Sequence, residues 1–347
     1  MTDINWMEAL PFQHEVIHSS VLRFLLSQEP KGGDNSAVSF IRQLSGDKRP
    51  KSVETPRLEV SLRPRRRLDL VAGLKRSDGT ESKLAVEMKV DSAWDWTQLV
   101  ESAPSDATGL LIAVGLTHLT IRQEELDLMK AEFPDSAGWA VVGPGRLAEA
   151  ISTCFQPRAG SELEQYVLSL QAEANDHDAA VAHFQSLRPR DSQSSGFTRT
   201  NPARDGTGDA EALLMTAYLA NCLDRFDSGR DPQWRWSHPQ SGPAVIRALE
   251  VESDKENPGW LSWMEINGSF NSPKLNIKVG RSGAGIGQDR ARVVEAISKT
   301  GLIQGTANER KLGDSSKTAT AWTIPVADNT PSELAELVGT LVTALGD

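Results

Sequence analysis

The sequence predicts an α/β protein: a mixed sheet flanked by helices, followed by an α+β unit with a mainly antiparallel sheet. Three observations carry that expectation. Strand-like and helix-like segments alternate between residues 57 and 155, as they do in layered α/β architectures. The stretch 188–209, RPRDSQSSGFTRTNPARDGTGD, is rich in Ser, Gly, Pro, Asn and Asp and has scarcely an apolar residue, so it reads as a linker or mobile loop. Beyond it, strand candidates follow one another directly before helices return. The expected organisation is therefore 1–187, 188–209 and 210–347, and two units also suit a chain of 347 residues.

Each element has its own signal. Residues 8–28 read as a helix in which Phe12, Val16, Ile17, Val21, Leu22, Phe24, Leu25 and Leu26 project nearly all round, as in a buried helix. Gly32-Gly33 stops it, and 35–45 is a second short helix. Strands are expected at 57–62, 67–74, 83–90 and 109–115, with a helix at 91–103 between the last two. Helices at 122–132 and 144–155 bracket a short strand, WAVV at 139–142, and helices at 161–173 and 177–187 close the unit. In the second unit a helix at 210–226 precedes strands near 233–237, 244–251, 260–267 and 274–280. A helix at 288–300, a strand at 319–326 and a helix at 331–345 finish the chain.

Composition narrows the class of function. Two cysteines, Cys154 and Cys222, make no disulfide framework and lack zinc-knuckle spacing. MTDINWMEAL lacks the basic start and apolar core of a signal peptide, and the longest apolar run, GLLIAVGL, is far too short to span a bilayer. The expectation is a soluble, cytoplasmic protein with no membrane partner. A net charge of −10 argues against passive coating of nucleic acid. Charge is unevenly spread, however: residues 1–100 hold 15 Lys/Arg against 14 Asp/Glu, and Arg63, Arg65, Arg66 and Arg67 form one dense basic cluster. Such a cluster suits a phosphate ligand, with a solvated charge run as the alternative.

The most informative stretch is RRRLDLVAGLKRSDGTESKLAVEMKVDSAWDWTQLVES, residues 65–102. Two apolar strands flank Ser77-Asp78-Gly79-Thr80, a hairpin signal because Asp-Gly supplies the positive φ of a tight turn. Folding about that turn brings Asp69 opposite the neighbourhood of Met88. Alternation then puts Glu87 and Lys89 on one face and Val86, Met88 and Val90 on the other. Three ionisable groups on otherwise apolar strands need a reason, since burying charge is costly unless it is paired or binds metal. Two carboxylates and a backbone carbonyl make a hard oxygen site suited to Mg²⁺ or Mn²⁺. A neighbouring lysine can orient a water and steady developing negative charge, which are the needs of phosphodiester hydrolysis. Glu-x-Lys alone carries no weight, since it also occurs at Glu29/Lys31, Glu81/Lys83 and Glu309/Lys311. Only Glu87/Lys89 lies inside an apolar strand with an aspartate paired across a hairpin; the plain alternative is a structural ion pair.

Asp69 followed by Glu87-Met88-Lys89 on the next strand resembles the PD-(D/E)XK nuclease superfamily, whose restriction-endonuclease-like core is a mixed sheet flanked by helices. HEVIHSSVLRFLLSQ is similar to the first helix of one bacterial branch, whose glutamate approaches the metal site. RRRLDLV and LAVEMKVD look like its two catalytic strands, and DWTQL, with Gln98, is similar to the Gln-Leu pair on the helix that follows. The likeness spans roughly residues 12–155, and Leu68 stands where the name-giving proline would be. It implies a divalent-metal-dependent nuclease, with DNA expected over RNA by the superfamily's habit, set in bacterial genome defence. Asp69, Glu87 and the Met88 carbonyl would hold Mg²⁺, with Mn²⁺ as a substitute, and Lys89 would position the attacking water. Glu15 would act through a water or a second metal, Gln98 would hold the nucleophile or a phosphate oxygen, and Arg65, Arg66 and Arg67 would grip the backbone. The likeness leaves room for a homodimer or for a defence-system partner protein. A non-catalytic nucleic-acid-binding or sensor module on the same fold is the alternative.

His14-Glu15-Val16-Ile17-His18 also matches the H-E-x-x-H pattern of zinc proteases. A protease needs a third ligand and a substrate-binding sheet before the helix, and thirteen upstream residues cannot supply one. The extended H-E-x-x-H-x-x-G-x-x-H pattern is absent, since Val21 and Phe24 occupy the later positions. Packed histidines beside an accessory Glu15 are the expectation. Among weaker signals, the glycine-rich run 280–287 lacks the lysine of a P-loop, and Trp234, Trp236, Trp260, Trp263 and Trp322 are expected to pack in the second unit's core.

Overall fold

A computed structural model describes residues 15–29, 35–63, 66–90, 96–121, 123–186, 188–191, 234–237, 246–252, 260–267, 274–281, 286–301 and 318–346. The chain divides into two units, Met1–Val181 with Ala203–Asp205, and Ala182–Pro202 with Gly206–Asp347. The first begins with helices α1 (Glu15–Leu26) and α2 (Ser36–Ser45). Strands β1 (Pro50–Val53), β2 (Arg57–Arg63), β3 (Arg66–Arg76) and β4 (Glu81–Val90) follow. Then come α3 (Trp96–Ser102), β5 (Thr108–Val114), a 3₁₀ turn (Gly115–Thr120), α4 (Gln123–Glu132), β6 (Gly138–Val142), α5 (Pro144–Phe155) and α6 (Glu162–Ser186).

These strands form one mixed sheet in the order β1-β3-β4-β5-β6, with β2 also paired to β3. The β3–β4 hairpin is antiparallel, while β4–β5 and β5–β6 are parallel. Its turn is built as the sequence requires: Gly79 takes φ 84°, and Asp78 Oδ1 accepts from the Thr80 N–H and hydroxyl. Alternation buries both faces. Leu70, Ala72, Leu74, Leu84, Val86, Met88, Val90 and Ile112 meet α1, α2, α5 and α6 on one side. Val71, Ala85, Leu111, Ala113 and Trp139 meet Leu99 of α3 and Leu126 and Met129 of α4 on the other. A mixed sheet flanked by helices is thus what the chain forms.

Three features depart from the expected elements. The helices at 161–173 and 177–187 are one helix, α6, because nothing between them is a glycine or proline. Strand β1 was not anticipated; its four residues begin with Pro50 and show no alternation, which suits an edge position. The first helix, described from Glu15, buries Leu22, Leu25 and Leu26 but leaves Val16 and Phe24 exposed, so it is half-buried rather than buried all round. At the opposite edge, Gln123 acts as a surrogate strand: its Nε2 donates to Trp139 O and its Oε1 accepts from the Val141 N–H, both at 2.9 Å. Arg146 Nη1 donates to Val141 O at 3.2 Å, so β6 has most of its outward backbone groups occupied.

The second unit has strands β7 (Trp234–Ser237), β8 (Ile246–Glu252), β9 (Trp260–Asn267), β10 (Lys274–Arg281) and β11 (Thr318–Pro325), and helices α7 (Ile286–Lys299) and α8 (Pro331–Gly346). The strands make an antiparallel sheet in the order β11-β10-β9-β8-β7. Leu275 pairs with Ile324 and Ile277 with Trp322, and all four are buried. Ile297 of α7 and Leu334, Val338 and Leu341 of α8 add to that core. Residues 188–191, assigned to the linker from sequence, are tied to this unit: Arg188 pairs with Glu333, and the Arg190 N–H donates to Ala327 O. The rest of 188–209, the helix at 210–226 and the glycines at 283 and 285 lie outside the described residues.

Candidate functional site

The β3–β4 ladder pairs Leu70 with Val86, and continuing its register brings Asp69 opposite Glu87, one residue short of the Met88 neighbourhood expected from the turn. The alternation of β3 fails here, since Leu68 and Leu70 are buried on opposite faces of the sheet. As the backbone ladder ends, the Asp69 carboxylate replaces a strand carbonyl: its Oδ2 accepts from the Met88 N–H at 2.6 Å. The N–H and C=O of a strand residue point to the same edge, so the Met88 carbonyl is on the Asp69 side too. The Met88 side chain is fully buried in the core.

Glu87 and Lys89 are buried, with relative exposures of 3% and 8%. Lys89 Nζ donates to Glu87 Oε1 at 2.7 Å. Gln98, on α3, donates its Nε2 to that same oxygen, and Ser102 Oγ in turn bonds to Gln98 O. Both donors have chosen Oε1, and Glu87 Oε2 is buried with no hydrogen-bond partner. A buried carboxylate oxygen without a donor is costly, and the usual remedies are a proton, a water or a cation. From α1, Glu15 Oε1 accepts from the Val90 N–H at 3.4 Å, which brings this helix to the same strand end.

Electrostatics agree with the geometry. Burial pushes the Glu87 carboxyl up to about 7; Lys89 pulls it down, and Asp69 and Glu15 push it further up. Burial likewise pushes Asp69 up to about 6 against the Met88 N–H and Lys89, with Glu15 and Glu59 adding to the rise. Burial opposes the charge on Lys89, yet Glu87, Glu15 and Asp69 more than offset it and hold the ammonium above its ordinary value. Several acids thus face one ammonium, and the cluster has room electrostatically for further positive charge.

The structure therefore brings together Asp69, Glu87, Lys89, Gln98, Glu15 and the Met88 backbone. It separates the arginines. Arg66 Nε pairs with Glu101 of α3 at 3.1 Å, and Arg63 donates to the Val100 and Asp135 carbonyls, which makes both part of the scaffold. Arg67 is largely exposed and lies 4.0 Å from Glu59, a contact too long to hold it. Arg65 lies outside the described residues. Gln98, expected to hold a nucleophile or a phosphate oxygen, donates one N–H to Glu87 and keeps its second N–H and its carbonyl oxygen.

One acidic neighbour escaped the sequence reading. Glu59 stands on β2 between the pairs Leu58–Leu70 and Val60–Leu68, hence across from Asp69, with φ 54°. A left-handed glutamate inside a strand is uncommon and leaves no mark in the residue pattern. His18 is fully buried and its Nδ1 is 2.8 Å from the Tyr166 hydroxyl. That is a packed histidine; His14 lies outside the described residues. Among the described residues no three His, Cys, Asp or Glu side chains are grouped to hold a metal. Two carboxylates and a peptide carbonyl would have to be completed by water, as Mg²⁺ sites commonly are. Among the described residues no helix is long and apolar enough to cross a membrane. No protein-family model, curated protein or solved structure matches the chain.

Proposed function

We propose that the chain is a divalent-metal-dependent nuclease of the PD-(D/E)XK type, with DNA as substrate rather than RNA and a setting in bacterial genome defence. One observation carries the catalytic part: Glu87 Oε2 is buried without a partner, next to a second carboxylate whose ionisation is also suppressed. Asp69, Glu87 and the Met88 carbonyl would hold the ion, a hard oxygen set that fits Mg²⁺ or Mn²⁺. When bound, such an ion supplies a water of lowered pKa and offsets phosphate charge. The chain's own groups do the rest. An ammonium has three donors, and Glu87 takes one of Lys89's, which leaves the others for a water or a phosphate oxygen. Gln98 fixes the Glu87 rotamer, and exposed Arg67 is available to a backbone phosphate. The preference for DNA and the defence setting rest on the sequence resemblance alone.

The test is to incubate plasmid, linear duplex, single-stranded DNA and RNA with Mg²⁺, Mn²⁺ or EDTA, using wild type, Glu87→Ala and Lys89→Ala. Cleavage that needs the metal and falls at least about a hundredfold in both variants is expected. Metal-independent binding of nucleic acid with no cleavage under any condition would replace this reading with that of a non-catalytic binding module.

A further inference from the structure

We propose that Tyr166, acting through His18, is a positioning residue for Glu15 and so for the Val90 end of the candidate site. The proposal rests on the reading of Glu15 as a member of that site.

His18 and Tyr166 are both buried, with exposures of 0% and 3%, and Tyr166 belongs to the core cluster that includes Leu22, Leu25, Leu26, Val167 and Leu170. Their rings are 5.7 Å apart and tilted by 59°, and the Nδ1–hydroxyl bond is 2.8 Å. An apolar pair of similar volume would fill this space without taking two polar groups out of water. What the polar pair adds is direction. Leucines seat a helix against a sheet but tolerate small rolls and slides about its axis; a hydrogen bond from α6 does not. His18 is three residues from Glu15, one helical turn on, so fixing the roll at His18 fixes the azimuth of Glu15. In the same turn the Ser19 hydroxyl bonds back onto the helix, its one proton shared between Glu15 O at 3.0 Å and Val16 O at 3.2 Å. Glu15 then meets the Val90 N–H at 3.4 Å, long enough for a small roll of the helix to break it. Val90 is two residues past Met88, so the relay runs from α6 through α1 to the strand end that presents the Met88 carbonyl.

The experiment compares Tyr166→Phe, His18→Gln and Glu15→Gln in the full chain by two measurements that do not need catalysis. In the metal-free protein, amide hydrogen exchange at Val90 in Tyr166→Phe should rise about tenfold relative to Leu84 on the same strand. His18→Gln, which keeps a hydrogen-bonding group within reach of Tyr166, should stay near wild type. By titration calorimetry, Tyr166→Phe should weaken Mn²⁺ binding severalfold in the wild-type background and not at all in Glu15→Gln. If Val90 and Leu84 accelerate together, or neither changes, Tyr166 is a stabilising core residue and the proposal is wrong. A Mn²⁺ effect that persists in Glu15→Gln overturns it as well. Should the wild type bind no Mn²⁺, the metal-dependent reading falls, while the Val90 exchange still decides the positioning role.

Discussion

Asp69 and Glu87 carry the site's signature in their protonation. Both carboxyls are raised in the folded, metal-free protein, from ordinary values of 3.8 and 4.5 to about 6 and about 7. The unfolded chain releases these protons more readily than the folded one. Their contribution to stability is therefore complete below about pH 4 and is lost as pH rises to about 7, at roughly 1.4 kcal/mol per pKa unit. Paired surface carboxylates such as Asp47 and Glu333 are lowered and act in the opposite sense, so the comparison needs Glu87→Gln to isolate the site. Thermal melts in EDTA should show wild type losing more stability than Glu87→Gln between pH 5 and pH 8. Added Mg²⁺ should raise the wild-type Tm mainly at pH 8, where both acids are free of protons. An equal Mg²⁺ shift at both pH values would mean that the ion binds elsewhere.

Among the elements, the parallel part of the sheet is the frame on which β4 is held, and Gly109 on β5 lies close against β6. A Cβ there would lie 2.7 Å from Trp139 Cδ2 and 2.8 Å from Gly138 O. Gly109→Ala must push β6 or the indole aside, and denaturant unfolding should show a loss of about 1–3 kcal/mol, the usual cost of overpacking. Unchanged stability would show that Trp139 yields freely. The hairpin that bears Asp69 and Glu87 was legible because two local signals agree on it: an Asp-Gly turn, and charges interrupting apolar strands. Met88 and Val90 fell on the face packed against α1, α2, α5 and α6 for the same reason, strict alternation along β4. The failure of alternation at Asp69 was not legible, because it comes from the end of a ladder and from a left-handed backbone at Glu59. Nor was the Tyr166 contact, since 148 residues separate it from His18 and neither position differs locally from ordinary core. The scaffold role of Arg66 was hidden likewise: a basic run looks the same whether its partner is a phosphate or Glu101.

At the scale of the molecule, every group of the candidate site falls before Val181, in a unit with its own two-sided core. A chain ended after Val181 should therefore fold and bind Mn²⁺ as the full chain does, by calorimetry; loss of binding in a folded fragment would show that the second unit contributes to the site. The Gln123 side chain has a consequence at this scale. By imitating one more strand, it finishes the sheet where another polypeptide could otherwise have added itself. Growth of a continuous ribbon from copy to copy is blocked along that border, so any self-association of this protein has to be built from side-chain surfaces or from a different rim.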